Sequence, residues 1–124
     1  MSKPKVFLVD DHKIMNYVLG KMLVLQGVTD CIFEYDDPLL ALKDLKIKKP
    51  DLILLDLNMP NFSGWDFLDE LHEIGPDHTK VILITGSSRP EDKAQSKKYP
   101  MVVDFLKKPL SKENISSIGK RYNS

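Results

Sequence analysis

Five short apolar runs, separated by segments with helical spacing, constrain the fold of this chain more than any other feature. Most of the runs are rich in Val, Ile, Leu or Phe and nearly continuous, which is typical of parallel strands that are covered on both faces. The runs occupy residues 6–9, 31–35, 52–56, 81–85 and 102–106. A strand followed by a helix, repeated five times, predicts a three-layer α/β fold with right-handed crossovers.

Apolar spacing and capping residues predict five helices around these strands. The first covers residues 12–26, stops at Gly27 and carries an apolar stripe formed by Ile14, Val18, Met22 and Leu25. The fourth, from Pro90 to about Lys98, has little apolar material, and Ala94 is its main candidate for burial. The remaining helices are predicted to begin at Asp37-Pro38, after Gly64 and at Ser111.

The size and composition of the chain indicate one globular domain. Its 124 residues are 42% hydrophobic and 29% charged, so the chain can bury an ordinary core and is not of disordered composition. We therefore expect residues 1–124 to form a single domain, with no effector domain after the last helix. No apolar run reaches the length of a membrane-spanning helix, which needs about 20 residues.

The charge balance and the single cysteine exclude several classes of function. Lys plus Arg and Asp plus Glu both number 18, so the formal net charge is +0 and no electrostatic attraction to nucleic acid or to an acidic membrane is expected. Cys31 alone excludes an internal disulfide and a metal site built from several cysteines. A lone thiol fits a reducing compartment, and we expect the protein to be cytoplasmic.

Acidic, hydroxyl and ammonium groups stand where four of the predicted strands end. Asp10 and Asp11 follow the first strand, Asp56 ends the third, Thr85 ends the fourth, and Lys108 follows the fifth. Because ligands bind outside the carboxyl ends of the strands in an open parallel sheet, we expect these groups to meet in one pocket. Taken singly, each residue is as well explained as a helix cap, a turn residue or a solvated side chain. The inference depends on their order and spacing.

The chemistry of this set indicates a site for a divalent cation and a phosphoryl group. Adjacent carboxylates such as Asp10 and Asp11 repel each other unless a proton or a cation relieves them, and Mg²⁺ prefers oxygen ligands. A carboxylate such as Asp56 can act as a nucleophile and form an acyl phosphate, or it can bind the metal. An ammonium such as that of Lys108 offsets the charge of a phosphoryl group during transfer.

At these positions the chain resembles the receiver domain of two-component response regulators. The resemblance extends from the first strand to the last helix. It implies the flavodoxin-like, CheY-like α/β fold, a doubly wound sheet of five parallel strands in the order 2-1-3-4-5 flanked by five helices. The segments that carry it are Val9-Asp10-Asp11, Leu55-Asp56-Leu57-Asn58-Met59-Pro60, Ser63-Gly64, Ile84-Thr85-Gly86 and Phe105-Leu106-Lys107-Lys108-Pro109-Leu110.

The resemblance implies which residues hold the metal and which accepts the phosphoryl group. Asp56 is implied to be the phosphoacceptor. Asp11 and Asp56, together with the backbone carbonyl of Asn58, are implied to be direct ligands of Mg²⁺. Asp10 is implied to assist the metal through a bound water.

Other positions are implied to respond to the phosphoryl group. Thr85 is implied to hydrogen-bond a phosphoryl oxygen, Lys108 to pair with the group, and Phe105 to turn inward as the switch aromatic residue. From position alone, we hypothesise that Asn58 and Ser87 flank the route of the attacking water and tune the lifetime of the acyl phosphate.

These implied roles describe a phosphorylatable signalling module, not a turnover enzyme. The implied phosphodonor is a sensor histidine kinase or a histidine phosphotransfer protein. The implied output is a contact with a downstream protein or onward transfer to another histidine. The fourth helix is unusual and belongs to the face through which many receivers dimerise, so we predict a monomer or a weak, phosphorylation-dependent dimer.

Three other functions agree with parts of the pattern. A phosphatase of the haloacid-dehalogenase type, with Asp56 as nucleophile, needs a second acid two residues later, where this chain has Asn58. A flavodoxin-like nucleotide binder needs a phosphate-cradling loop after the first strand, where Asp10 and Asp11 would repel a phosphate without metal. A pseudo-receiver with a purely structural role would not need the complete set of strand-end residues.

Overall fold

Five strands alternate with five helices in the computed structural model, which describes residues 3–75, 78–87 and 89–122. The strands are β1 (Lys5–Val9), β2 (Cys31–Tyr35), β3 (Leu52–Asp56), β4 (Lys80–Thr85) and β5 (Val102–Lys107). The helices are α1 (Lys13–Leu25), α2 (Pro38–Lys48), α3 (Gly64–Ile74), α4 (Pro90–Ser96) and α5 (Lys112–Tyr122).

The sheet has the topology that the resemblance to receiver domains implies. All five strands are parallel and lie in the order β2-β1-β3-β4-β5, which confirms the doubly wound, flavodoxin-like fold. In the register of the sheet, Asp56 lies beside Ile84, and Thr85 lies beside Lys107. The carboxyl ends of neighbouring strands therefore meet at one edge, and the residues that follow them are brought together there.

The core has one layer on each face of the sheet. Successive side chains of a strand point to opposite faces, so β1 places Phe7 and Val9 in one cluster and Val6 and Leu8 in the other. The first cluster includes side chains from α2 and α3, and the second includes side chains from α1 and α5. Every residue of β3 is buried. This burial on both faces explains why the central strand is a continuous apolar run that ends in an acid.

The buried face of α1 is not the one that its sequence predicts. Ile14 is 77% exposed and Leu25 is 82% exposed, and Val18 is exposed as well, so most of the predicted apolar stripe does not face the core. Of the predicted stripe, Met22 alone packs against the core, and only partly. The residues of α1 that are buried are Asn16, Gly20 and Leu23.

Gly20 explains which face of α1 is buried. A Cβ on this residue would lie 3.3 Å from a carboxylate oxygen of Glu34 and 3.5 Å from a methyl group of Leu8. Glycine therefore allows the helix to approach the sheet closely at this point. Apolar residues occur on most faces of α1, so residue size, and not hydrophobic spacing alone, selects the buried face.

Helix α4 is shorter than its sequence predicts, and it is anchored differently. It covers Pro90–Ser96, Ala94 is exposed, and Ser96 is its buried residue. The ring of Tyr99, just beyond the helix, stacks on Trp65 of α3 with the ring centroids 5.9 Å apart. An aromatic contact from the following loop thus replaces the apolar face that α4 lacks.

The other predicted helix boundaries agree with the structure within a residue. Side-chain caps mark the starts of three helices, with Asp37 at α2, Ser63 at α3 and Ser111 at α5. Gly27 and Gly75, with φ of 72° and 70°, follow α1 and α3 in a conformation that favours glycine. The sequence predicts that the third helix ends near Gly75-Pro76, and Pro76 lies outside the described residues. Along the described chain, no helix is long and apolar enough to cross a membrane.

Candidate functional site

Three charged side chains meet at the carboxyl edge of the sheet. Nζ of Lys108 lies 2.7 Å from Oδ2 of Asp10 and 3.4 Å from Oδ2 of Asp56. Asp56 is 3% exposed and Asp10 is 8% exposed, so water solvates neither carboxylate well. The backbone N–H of Lys108 donates to the carbonyl oxygen of Thr85 over 2.7 Å, which joins the ends of β4 and β5.

Asp11 completes an acidic cluster that suits a cation. The cluster consists of Asp10, Asp11, His12 and Asp56. Each of these residues offers one possible ligand atom, and the four atoms all lie within 4.8 Å of one another. Within the described chain, Oδ1 of Asp11 is buried and accepts no hydrogen bond. A buried carboxylate oxygen without a hydrogen bond is unfavourable, and hard cations such as Mg²⁺ prefer oxygen ligands. The residues present therefore fit a Mg²⁺ ion.

His12 borders this cluster, although its sequence position alone indicates a cap or a surface residue. Its Nδ1 lies 3.2 Å from Oδ1 of Asp10 and 3.3 Å from Oδ1 of Asp11. Its backbone N–H donates to Oδ1 of Asp10 over 2.9 Å, and the residue is also the N-cap of α1. The one feature of the sequence that agrees with this contact is that His12 directly follows Asp10 and Asp11.

The electrostatic balance differs between the two acids that contact Lys108. Burial raises the pKa of Asp56, and the charge of Asp10 raises it further, against weaker opposing effects. Burial also opposes ionisation of Asp10, but the hydrogen bonds from Lys108 and His12 outweigh it and lower the pKa of this acid. Burial acts to lower the pKa of Lys108. The contacts with Asp10 and Asp56 outweigh burial, so the pKa of Lys108 is raised. Lys108 thus neutralises Asp10 most directly, and the ionised form of Asp56 is less favourable than it would be in water.

The hydroxyl group of Thr85 is fully buried and is linked to two loops. Its Oγ1 accepts hydrogen bonds from Nδ2 of Asn58 and from the backbone N–H of Ser87, each over 3.0 Å. The backbone N–H of Asn58 also donates to Oδ1 of Asp56 over 3.2 Å. Asn58 therefore connects Asp56 with Thr85. Because both bonds use the lone pairs of Oγ1, the hydroxyl proton of Thr85 remains available to an acceptor bound nearby.

Phe105 and Lys107 both lie on β5. Phe105 is half-buried and packs against the core cluster that includes α2 and α3, and Lys107 is exposed. The structure brings Asp10, Asp11, Asp56 and Lys108 into one cluster. Thr85, Asn58 and the backbone of Ser87 form a second, adjoining group.

Asn16 is a site-supporting residue for which the sequence offers no functional signal. It is buried in α1, and its Nδ2 donates to the carbonyl oxygens of Asp10 and Tyr35, each over 3.0 Å. In the sequence, Asn16 stands out only as a polar residue among the apolar positions of a helix. Such a residue is more often solvated than buried, so the contact becomes visible in the tertiary structure alone.

Sequence comparison relates the chain to a known family. The family described as the response regulator receiver domain matches residues 6–119. The chain is 32% identical over 106 residues to a protein-glutamate methylesterase/protein-glutamine glutaminase of Xanthomonas oryzae pv. oryzae, an alignment that covers 85% of this chain and 29% of that protein. The chain thus spans less than a third of the length of the curated relatives that it matches, at 29% of each.

Structural comparison leads to the same fold. A two-component response regulator from Cytophaga hutchinsonii aligns with a TM-score of 0.88 at 21% identity, over 99% of this chain and 98% of that one. The chemotaxis protein CheY4 of Vibrio cholerae aligns with a TM-score of 0.83 at 24% identity, over 98% of this chain and 99% of that one. At these identities the likeness concerns the fold.

Proposed function

Since the chain belongs to the response regulator receiver domain family, we propose that it accepts a phosphoryl group on Asp56 and signals through the change that follows. The observation that carries this proposal is the setting of Asp56, a buried carboxylate between the ammonium of Lys108 and the acids Asp10 and Asp11. Its ionised form is less favourable in this setting than in water, and a bound cation offsets that cost.

In the proposed reaction, a carboxylate oxygen of Asp56 attacks the phosphorus atom of a phosphohistidine. The bond between phosphorus and the histidine nitrogen breaks, and the nitrogen keeps the electron pair and takes up a proton. Lys108 offsets the charge on the phosphoryl oxygens. Thr85 donates its hydroxyl proton to one of these oxygens in the product, since Asn58 and Ser87 already donate to its Oγ1.

The proposed cofactor is Mg²⁺. When bound, the ion neutralises the acidic cluster and orients the phosphoryl group. Asp11, Asp56 and the backbone carbonyl of Asn58 would hold it, and Asp10 would contact one of its waters. The buried Oδ1 of Asp11, which accepts no hydrogen bond in the described chain, supports this assignment.

The proposed partners are proteins. A sensor histidine kinase or a histidine phosphotransfer protein would supply the phosphoryl group, and a downstream protein or another histidine would receive the signal. Movement of Thr85 toward the phosphoryl group would let Phe105 turn inward and change the surface formed by α4, β5 and α5. We propose that residues 1–124 act as a cytoplasmic receiver domain without enzymatic activity on other substrates, as a monomer or a weak, phosphorylation-dependent dimer.

Intact-mass measurement after incubation with Mg²⁺ and phosphoramidate tests the proposed function. We expect a single phosphoryl adduct that is absent when EDTA replaces Mg²⁺. The absence of any adduct would contradict the proposal. Repeated hydrolysis of unrelated phosphate esters would favour a phosphatase of the haloacid-dehalogenase type, and a tight dimer before phosphorylation would contradict the proposed oligomeric state.

Mg²⁺ should stabilise the protein, and Asp11→Asn should remove most of this stabilisation. A ligand that binds only the native state adds about 2.7 kcal/mol to the free energy of unfolding at a concentration of 100 Kd. Thermal melting with and without Mg²⁺ measures the effect. Asp30→Asn, at an exposed acid outside the cluster, serves as the control. An equal rise in Tm for Asp11→Asn and the wild type would exclude Asp11 as a ligand.

Simultaneous replacement of Asn58 and Ser87 by alanine should shorten the lifetime of the acyl phosphate several-fold. The side chain of Asn58 bridges to Thr85 over 3.0 Å, and its loss opens a route for water beside Asp56. The decay of the adduct mass after removal of the phosphodonor measures this lifetime. Ser117→Ala, on the exposed surface of α5, should leave it unchanged. An unaltered decay rate in the double variant would end the hypothesis.

A further inference from the structure

Asn16 is a buried amide on the face of α1 that packs against the sheet. It is 2% exposed and shares this face with Gly20 and Leu23. Its Nδ2 donates to the carbonyl oxygen of Asp10 and to that of Tyr35, each over 3.0 Å. Both hydrogens of the amide are therefore used at the carboxyl ends of β1 and β2.

The hydrogen bonds of Asn16 restrain the peptide unit between Asp10 and Asp11. The paired register of β1 ends at Val9, so the carbonyl group of Asp10 lies beyond the ladder of the sheet, and Asn16 supplies its donor. The N–H of Asp10 donates to the carbonyl oxygen of Tyr35 over 3.1 Å. With its N–H and its carbonyl both bonded, Asp10 has little freedom to rotate about its backbone.

The two acidic side chains depend on this backbone for their orientation. Oδ2 of Asp10 lies 2.7 Å from Nζ of Lys108, and Oδ1 of Asp11 is buried and accepts no hydrogen bond within the described residues. A rotation of the intervening peptide unit would turn these carboxylates away from Asp56. Residues that orient metal ligands through hydrogen bonds typically affect metal affinity by about 10–100-fold when they are replaced.

We propose that Asn16 is a positioning residue for the divalent-cation site, and that its amide holds Asp10 and Asp11 in the orientation that meets the ion. This inference rests on the proposed function for the identity of the ion as Mg²⁺. A positioning role predicts weaker metal binding together with a nearly unchanged rate once the metal saturates the site. A role in stability alone predicts an unchanged metal affinity.

Titration of the phosphorylation rate with Mg²⁺, using phosphoramidate as donor, tests the proposal. The half-saturating Mg²⁺ concentration should rise about tenfold in Asn16→Ala, whereas the rate at saturating Mg²⁺ stays close to that of the wild type. Asn16→Ser should show a smaller rise, because its hydroxyl group can still donate one hydrogen bond. An unchanged half-saturating concentration in Asn16→Ala would overturn the proposal.

Leu23→Ala is the matched control, since Leu23 lies on the same buried face of α1 and belongs to the apolar cluster on that side of the sheet. This substitution should lower the melting temperature through the cavity that it leaves. Its half-saturating Mg²⁺ concentration should remain that of the wild type. An equal rise in Leu23→Ala and Asn16→Ala would reduce Asn16 to a purely structural residue and overturn the proposal.

Calorimetric titration with Mg²⁺ alone separates this inference from the proposed function, because it requires no phosphoryl transfer. A wild-type protein that binds Mg²⁺ but forms no phosphoryl adduct would contradict the proposed function. The affinity of Asn16→Ala relative to wild type would then still decide the role of Asn16. A wild type that binds no Mg²⁺ would overturn the positioning role itself.

Nuclear magnetic resonance of the wild-type protein supplies a test that does not depend on the folding of a variant. The side-chain amide resonances of Asn16 should shift as Mg²⁺ binds. Those of Gln26, which is exposed beyond the other end of α1, should not move. Asn16 resonances that stay in place while Mg²⁺ binds would overturn the proposal.

Discussion

Asp56→Asn should lose the phosphoryl adduct completely and, without Mg²⁺, should melt at a higher temperature than the wild type at neutral pH. The adduct is lost because the amide lacks the nucleophilic carboxylate oxygen. The gain in stability follows from the raised pKa of Asp56, since burial and the charge of Asp10 disfavour its ionised form in the folded protein. Asparagine has a similar shape and no charge, so it removes this cost.

The gain in stability should depend on pH with a definite sign. An acid whose folded-state pKa is raised destabilises the fold fully above that pKa, and the cost disappears as the pH falls through it toward the unfolded value. The difference in Tm between Asp56→Asn and the wild type should therefore be largest at neutral pH and should shrink toward about pH 4.

Thermal melting across this pH range measures the effect, with Asp30→Asn as a control at an exposed acid outside the cluster. The control should show no comparable gain at neutral pH. If Asp56→Asn melts below the wild type at neutral pH, or if its gain is the same at every pH, then burial and the charge of Asp10 do not raise the pKa of Asp56.

Gly64→Ala should destabilise the fold by about 3 kcal/mol, the upper part of the usual range for overpacking. A Cβ on this residue would lie 2.7 Å from the Cα of Leu57 and 2.9 Å from the carbonyl oxygen of Asp56. Both contacts are with backbone atoms, which cannot turn aside as a flexible side chain can. The start of α3 would have to move away from the end of β3, which would break the hydrogen bond from the N–H of Gly64 to the carbonyl oxygen of Leu57.

Urea unfolding measures this loss, and Gly86→Ala is the matched control. A Cβ on Gly86 meets no atom within 4 Å in the described chain, so this substitution should change the free energy of unfolding by less than about 0.5 kcal/mol. Gly64→Ala should also slow phosphorylation, because the displaced loop carries Asn58. Equal stabilities of the two variants would show that the space between α3 and β3 can accommodate a side chain at position 64.

The fold and most of the charged cluster follow from local signals in the sequence. The apolar run of β3 ends in Asp56, and such a run reports burial on both faces of the sheet without knowledge of its neighbours. The caps at Asp37 and Ser63 mark helix starts because they bond to backbone within their own turn. The order of the strand-end residues then brings them to one edge of a parallel sheet.

The errors occur where packing between elements decides the outcome. The apolar residues of α1 offer several faces, and the close approach at Gly20 selects the one that leaves Ile14 77% exposed. In α4, a buried Ser96 and the stacking of Tyr99 on Trp65 replace the expected burial of Ala94. Neither outcome follows from hydrophobic spacing within a single helix.

By itself, the sequence determined that strands and helices alternate and which acidic, hydroxyl and ammonium groups end the strands, because periodicity and capping act over a few residues. The tertiary structure alone decided which of these groups touch. Lys108 reaches Asp10 over 2.7 Å across 98 positions of the chain, and Asn16 reaches the carbonyl groups of Asp10 and Tyr35 because Gly20 brings α1 close to the sheet. Such contacts depend on distances of a few ångströms between separate elements, and those distances are set by the packing of the whole domain.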